Sequence, residues 1–201
     1  VLDARARRLI DPPLDRLGGA LARAGVGADA LTLAGFALGM LAVAALAFDA
    51  YGAALALILA NRLLDGLDGA VARHAGPSDL GGYLDVTCDF VFYSGVVFGF
   101  ALGDPGRALP AAFLIFSFVG TGTSFLAFAA VAARRGLSTE ARGRKSLYYL
   151  GGLTEGTETI LLFVALCLFP GAFAWLAWGF GALCWLTTAA RVGAALRAFR
   201  P

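Results

Sequence analysis

The chain has 201 residues, of which 59% are hydrophobic and only 15% charged, and its mean hydropathy is +0.77. That composition excludes an ordinary soluble domain and a disordered chain, and it fits a single domain, residues 1–201, that lives in a membrane. A net charge of +2 is too small to suggest nucleic acid, and three cysteines without pairable spacing exclude a disulfide frame, so a lipid surface is the better partner for the basic residues.

Residues 1–25 come first, with Leu2, Leu9, Ile10, Leu14, Leu17 and Leu21 set among Arg5, Arg7, Arg8, Arg16 and Arg23. This is an amphipathic juxtamembrane pattern interrupted near Pro12 and Pro13, expected to lie in the membrane interface. Its charged opening lacks the short apolar core of a signal peptide.

A bilayer-crossing helix needs roughly 20 mostly apolar residues. The stretches 28–48, 51–64, 83–102, 108–133, 147–169 and 172–196 supply six candidates, the second short unless its aspartate-bearing end leaves the hydrocarbon. Long unbroken runs without period-2 alternation are helices, not barrel strands. The fold class expected is therefore an all-α integral membrane protein, six transmembrane helices preceded by an N-terminal amphipathic interfacial helix. Basic residues gather before the first run, at Arg73, in RRGLSTEARGRK and at 191–200, whereas the intervening turns hold only Arg107. By the positive-inside rule both termini and the aspartate loop face the cytoplasm.

Glycines at one-turn spacing, Gly35 with Gly39 and Gly95 with Gly99 and Gly103, allow close helix approach. They serve packing within one bundle or a dimer seam. Cys88, Cys167 and Cys184 lie inside apolar runs and His74 has no cysteine nearby, so they read as packing residues and not as a zinc site.

The chemistry is concentrated in NRLLDGLDGAVARHAGPSDLGGYLDVTCDF. Asp65 and Asp68 are three apart, Asp85 and Asp89 four apart, so each pair shares one helix face and two adjacent helices can aim four carboxylates at one space. A carboxylate in a membrane interior costs about 2.5–3.5 kcal/mol on insertion scales. Four together repel one another unless protonated or neutralised, and one or two divalent cations do the latter. All-oxygen ligation favours Mg²⁺ or Mn²⁺, ions suited to clamping a diphosphate. Gly66, Gly69, Gly81 and Gly82 reduce bulk nearby, and Arg73 offers a guanidinium to a phosphate or a carboxylate. A proton or ion pathway is the competing reading for acids of this kind.

The order Asp65-x-x-Asp68-Gly69-x-x-Ala72-Arg73, then Gly81-x-x-x-Asp85-x-x-x-Asp89, resembles the signature of the CDP-alcohol phosphotransferases (CDP-alcohol phosphatidyltransferases). One loop residue fewer than usual separates Arg73 from Gly81. The segments NRLLDGLDGA, FLAFAA and KSLYYLGGLTEGTETILLF extend the likeness along nearly the whole chain, toward YnjF-type bacterial inner-membrane members.

The resemblance implies a six-helix enzyme of the bacterial inner membrane, commonly a homodimer, that joins a CDP-linked donor such as CDP-diacylglycerol to a small polar alcohol and releases CMP. It assigns Asp65, Asp68 and Asp85 to two divalent ions, with Asp89 completing the second site and also acting as general base. It places Gly69 and Arg73 at the CDP moiety. Thr32 falls at a first-span polar position that contacts the nucleotide or caps its own helix. Acceptor selection falls to the basic groups Arg142, Arg144, Lys145 and Arg191, for which positive-inside anchoring is the alternative, with Arg134 and Arg135 better read as anchors. Glu155 and Glu158 form a polar stripe that holds acceptor hydroxyls, pairs with Arg191 or clamps helices. Glycerol 3-phosphate and an inositol phosphate are the acceptors considered. A membrane prenyltransferase places its second aspartate motif far downstream, and a transporter calls for paired broken helices, neither of which matches this chain.

Overall fold

The computed structural model describes residues 2–136 and 153–199, with side chains from residue 11 onward. Every regular element among the described residues is helical. The order is α1 (Leu2–Arg23), α2 (Ala28–Ala47), α3 (Tyr51–Ala75), α4 (Asp79–Gly103), α5 (Ala108–Arg134), α6 (Gly156–Leu168) and α7 (Phe173–Ala198), with 3-10 turns at Pro105–Arg107 and Pro170–Ala172.

Among the described residues, four stretches are long and apolar enough to cross a membrane: Ala28–Ala47, Asp79–Gly103, Pro105–Arg134 and Pro170–Ala198. The other two expected spans differ for separate reasons. α3 has the length, but Arg62, Asp65, Asp68 and Arg73 lower the hydropathy of its second half. The described part of the fifth expected span is the 13-residue α6, and residues 147–152 lie outside the described residues.

The expected interruption near Pro12 and Pro13 does not occur, because α1 runs through both prolines. Proline removes backbone donors and weakens an isolated helix, so packing must hold this one. α1 lies along α3 and touches α6. A β-carbon placed on Gly18 would sit 2.5 Å from Ala70 Cβ, and one on Gly66 would sit 2.7 Å from Leu14 Cδ1.

α2 packs chiefly on α3 and α4, and α5 chiefly on α7. The glycines at one-turn spacing serve these contacts within the chain. A β-carbon on Gly39 would lie 2.6 Å from the Phe92 ring, on Gly99 2.8 Å from Val43 O, and on Gly103 2.7 Å from Leu46 O. The centre is filled by Leu46, Ile58, Phe92, Phe100, Leu114, Phe163 and Leu166, with Phe92 meeting Phe163 edge to face at 6.1 Å. Cys167 and Cys184 are buried beside this core as free thiols. The outside is apolar too, with Trp175 83% and Phe48 85% exposed, as expected where the surrounding solvent is lipid.

Arg107 gathers the turns at one end of the bundle. Its guanidinium lies 3.3 Å from Asp104 and 4.0 Å from Asp49, donates to Tyr51 Oη at 3.0 Å, and stands 5.8 Å from the ring centres of Tyr51, Phe100 and Phe173. Tyr51 also donates to Asp49. The α2–α3, α4–α5 and α6–α7 turns therefore meet at that end, and the α3–α4 turn lies at the other.

Overpacking a tight helix contact costs about 1–3 kcal/mol. Gly99→Leu drives a side chain into the Val43 carbonyl and is expected to lower the midpoint of thermal unfolding in detergent by several degrees. Gly179→Ala, with nothing within 4 Å of the added carbon, leaves that midpoint unchanged or slightly raised.

Candidate metal and active site

The turn between α3 and α4 is short and heavily specified. The Gly76 N–H closes on Ala72 O at 3.0 Å with φ +100°, a left-handed conformation that suits glycine. Pro77 cannot continue the helix, and Ser78 Oγ accepts from the Gly81 N–H at 2.9 Å as an N-cap. The helices reach this turn from both sides, so all four aspartates lie on helical backbone.

One ligand oxygen from each of Asp65, Asp68 and Asp85 lies within 4.8 Å of the others. Hard carboxylate oxygens converging this closely fit a hard divalent cation, which also removes their mutual repulsion. Asp68 is buried and accepts from Thr32 Oγ1 at 2.6 Å. The same hydroxyl lies 3.2 Å from Ala28 O, so Thr32 joins α2 to the aspartate cluster and also bonds within its own helix.

Asp89 is held differently. Its Oδ1 is 2.9 Å from Arg62 Nη2, and its Oδ2 accepts from Tyr93 Oη at 3.2 Å. Arg62 also lies 3.4 Å from Asp65 and donates to Tyr93 Oη at 3.2 Å and Asn61 Oδ1 at 2.7 Å. Thr32, Gly35, Asn61, Arg62, Asp65, Asp68 and Asp89 line one small cleft with Phe36 and Cys88. Arg62, Asn61 and Tyr93 are absent from the sequence-based site. Their signal was an arginine three residues before Asp65 and a tyrosine four after Asp89, each one helical turn from an acid.

The remaining expected site residues are spread more widely. Arg73 Nε lies 3.3 Å from Asp15 Oδ1, with His74 Nε2 3.4 Å from the other oxygen of that carboxylate, so α1 meets the motif arginine. Gly69 is open except toward Arg73, whose Nη1 lies 3.8 Å from where a β-carbon would stand. Arg191 is buried on α7, donates to Thr121 O at 2.9 Å and faces the Phe125 ring at 5.7 Å. Glu155 and Glu158 form a reciprocal capping box at the start of α6, with the Glu155 N–H donating to Glu158 Oε2 at 3.2 Å. Thr154, beside them, donates to Thr187 Oγ1 on α7 at 3.1 Å. Arg135 donates to Phe199 O at 3.1 Å and stacks on that ring. Arg142, Arg144 and Lys145 lie outside the described residues.

Residues 26–190 match the CDP-alcohol phosphatidyltransferase family, and the chain belongs to it. It is 55% identical over 193 residues to the inner membrane protein YnjF of Escherichia coli (strain K12), covering 96% of this chain and 94% of that one. It is 36% identical over 101 residues to the archaetidylinositol phosphate synthase of Pyrococcus horikoshii, covering 50% of this chain and 54% of the relative. Two structures of the Mycobacterium tuberculosis phosphatidylinositol phosphate synthase PgsA1 share the fold at 20% identity. The one with CDP-DAG bound has a TM-score of 0.73 over 91% of this chain and 93% of that chain; the one in complex with manganese and citrate has 0.72 over 90% and 87%.

The protein is thus a membrane transferase of substituted phosphate groups, in a family that depends on divalent metal. Its four membrane-length helices and its likeness to YnjF make it a bacterial inner-membrane protein. Family membership decides against the transporter and prenyltransferase readings.

Groups that orient metal ligands commonly contribute about 10–100-fold in affinity. Thr32→Val removes the hydroxyl on Asp68 and is expected to raise the Mn²⁺ dissociation constant about 10-fold, measured by paramagnetic-resonance titration in detergent. Thr32→Ser retains near-native affinity.

Proposed function

We propose that the enzyme transfers a phosphatidyl group from a CDP-diacylglycerol-like donor to a small hydroxylated acceptor of the glycerol 3-phosphate or inositol phosphate kind, releasing CMP. The observation that carries this reading is the convergence of the Asp65, Asp68 and Asp85 oxygens within 4.8 Å of one another, on the hairpin that also bears Arg73. The CDP-DAG-bound mycobacterial neighbour and the archaeal synthases support the donor and acceptor classes.

Asp65, Asp68 and Asp85 would hold two divalent ions, Mg²⁺ or Mn²⁺, with Asp89 adjacent and able to complete the second set. When bound, the ions offset the diphosphate charge and stabilise the departing CMP. Gly69 leaves space beside the nucleotide, Arg73 exchanges Asp15 for a phosphate oxygen, and Thr32 keeps Asp68 in register at the nucleotide end. The acceptor oxygen forms a bond to the phosphorus carrying the lipid as the bond to the CMP oxygen breaks, its electron pair leaving with CMP. Asp89 receives the acceptor proton. Protein groups mainly position an in-line transfer, with no covalent enzyme intermediate.

Arg191 on α7 and the Glu155/Glu158 pair at the head of α6 face the acceptor in this reading, with Arg144 and Lys145 on the connecting segment. The assembly is a homodimer of six-span chains with α1 in the membrane interface, both termini and the site on the cytoplasmic side. The concentration of basic residues at that end supports this orientation.

The test is Mn²⁺-dependent CMP release by purified protein given CDP-diacylglycerol and a panel including glycerol 3-phosphate, inositol 1-phosphate and inositol. One acceptor is expected to give turnover that a chelator abolishes, and no release with any acceptor rejects the reading. Asp65→Ala is expected to lose Mn²⁺ binding and activity together. Asp89→Asn lowers turnover about 10²–10⁴-fold while the protein remains folded and binds the CDP-donor; wild-type turnover would remove Asp89 from the base role.

A further inference from the structure

Arg62 is a cation set between Asp89 and Asp65, and its surroundings hold it on several sides. It is held from three helices. Its Nε–H donates to Asn61 Oδ1 at 2.7 Å, and Asn61 Nδ2 in turn donates to Gly35 O on α2 at 2.8 Å. Its Nη1 donates to Tyr93 Oη on α4. Its guanidinium lies 4.8 Å and 5.4 Å from the ring centres of Phe92 and Tyr93, and the side chain is only 15% exposed.

A guanidinium fixed in this way acts as a template and not as a mobile counter-charge. Its contacts with the aspartates are unequal, 2.9 Å to Asp89 and 3.4 Å to Asp65. Asp89 therefore has one oxygen on Arg62 and the other on Tyr93, whereas Asp65, Asp68 and Asp85 converge on one another.

We propose that Arg62 is a positioning residue that divides the labour of the four aspartates, with Tyr93 holding Asp89 apart from the three ligands as the proton acceptor. The inference rests on the reaction proposed above and narrows it, since Asp89 is then kept for the base role and not shared with an ion. A binding role for Arg62 on the donor phosphates would raise KM, and a purely structural role would lower folded yield. A template for Asp89 lowers kcat with little change in KM.

The experiment uses full-length protein in detergent carrying Arg62→Met, Arg62→Lys, Tyr93→Phe, Asp89→Asn or both Arg62→Met and Asp89→Asn. Mn²⁺ binding is read by paramagnetic-resonance titration, which needs no substrate. CMP release is read with CDP-diacylglycerol and whichever acceptor turns over in the panel above. Arg62→Met frees Asp89 and removes a nearby positive charge, so Mn²⁺ is expected to bind at least about 3-fold more tightly while kcat falls at least about 10-fold. KM for the donor stays within about 3-fold. Arg62→Lys recovers part of kcat, and Tyr93→Phe lowers kcat without weakening Mn²⁺ binding. The double variant is no slower than Asp89→Asn alone, because both changes act on one step.

Unchanged or weaker Mn²⁺ binding in Arg62→Met overturns the proposal, as does wild-type kcat or additivity with Asp89→Asn. If Arg62→Met does not fold, Arg62→Lys and Tyr93→Phe carry the test: normal kcat in both overturns it. Wild-type turnover by Asp89→Asn removes instead the base role on which the proposal rests.

Discussion

Repulsion among carboxylates crowded at the end of an apolar bundle governs much of this structure. Asp65, Asp68, Asp85 and Asp89 occupy two neighbouring helices, and apolar surroundings do little to separate their charges. Three kinds of group oppose that repulsion. The Thr32 hydroxyl bonds to Asp68, the Tyr93 hydroxyl bonds to Asp89, and the Arg62 guanidinium stands between Asp89 and Asp65. The divalent ion proposed for Asp65, Asp68 and Asp85 would supply what these contacts leave undone. The fold around them follows from the same demand, since α2 must approach closely enough for Thr32 and Gly35 to take part. The glycine contacts of α2 against α3 and α4 allow it to do so.

The two ends of the bundle handle charge in opposite ways. At the far end one arginine, Arg107, faces two acids, the Tyr51 hydroxyl and the rings of Tyr51, Phe100 and Phe173, and the group is closed upon itself. At the other end the oxygens of Asp65, Asp68 and Asp85 converge on one another, an arrangement that suits a cationic ligand. Mutual satisfaction ties turns together, and convergent charge prepares a site.

The helical placement of the aspartate pairs was legible in the sequence, because spacings of three and four permit one shared face and the Gly76-Pro77-Ser78 turn separates the two helices that carry them, both of which pack on α2. What surrounds the pairs was less so. Arg62 and Tyr93 sit at readable distances from Asp65 and Asp89, yet the contact of Arg62 with Asp89 crosses between helices, and it forms where α2 packs on both α3 and α4. The prolines of α1 looked like a break, and tertiary contact with α3 overrides that local preference. Glu155 and Glu158 were legible as a polar pair, and the capping box they form at the head of α6 is a role that their spacing alone did not single out. Local periodicity transmits which face a side chain occupies, but not which partner waits across the groove.

The α3–turn–α4 hairpin concentrates the four acids and Arg62 within residues 62–89, one unbroken stretch of chain. Such a unit can be inherited whole. The polar groups on α5, α6 and α7 are scattered along a different part of the sequence and can change one at a time without disturbing the carboxylates. In the proposed reading, a lineage built on this plan is free to exchange one alcohol for another through drift in its C-terminal helices, while the chemistry of phosphate transfer stays with the hairpin.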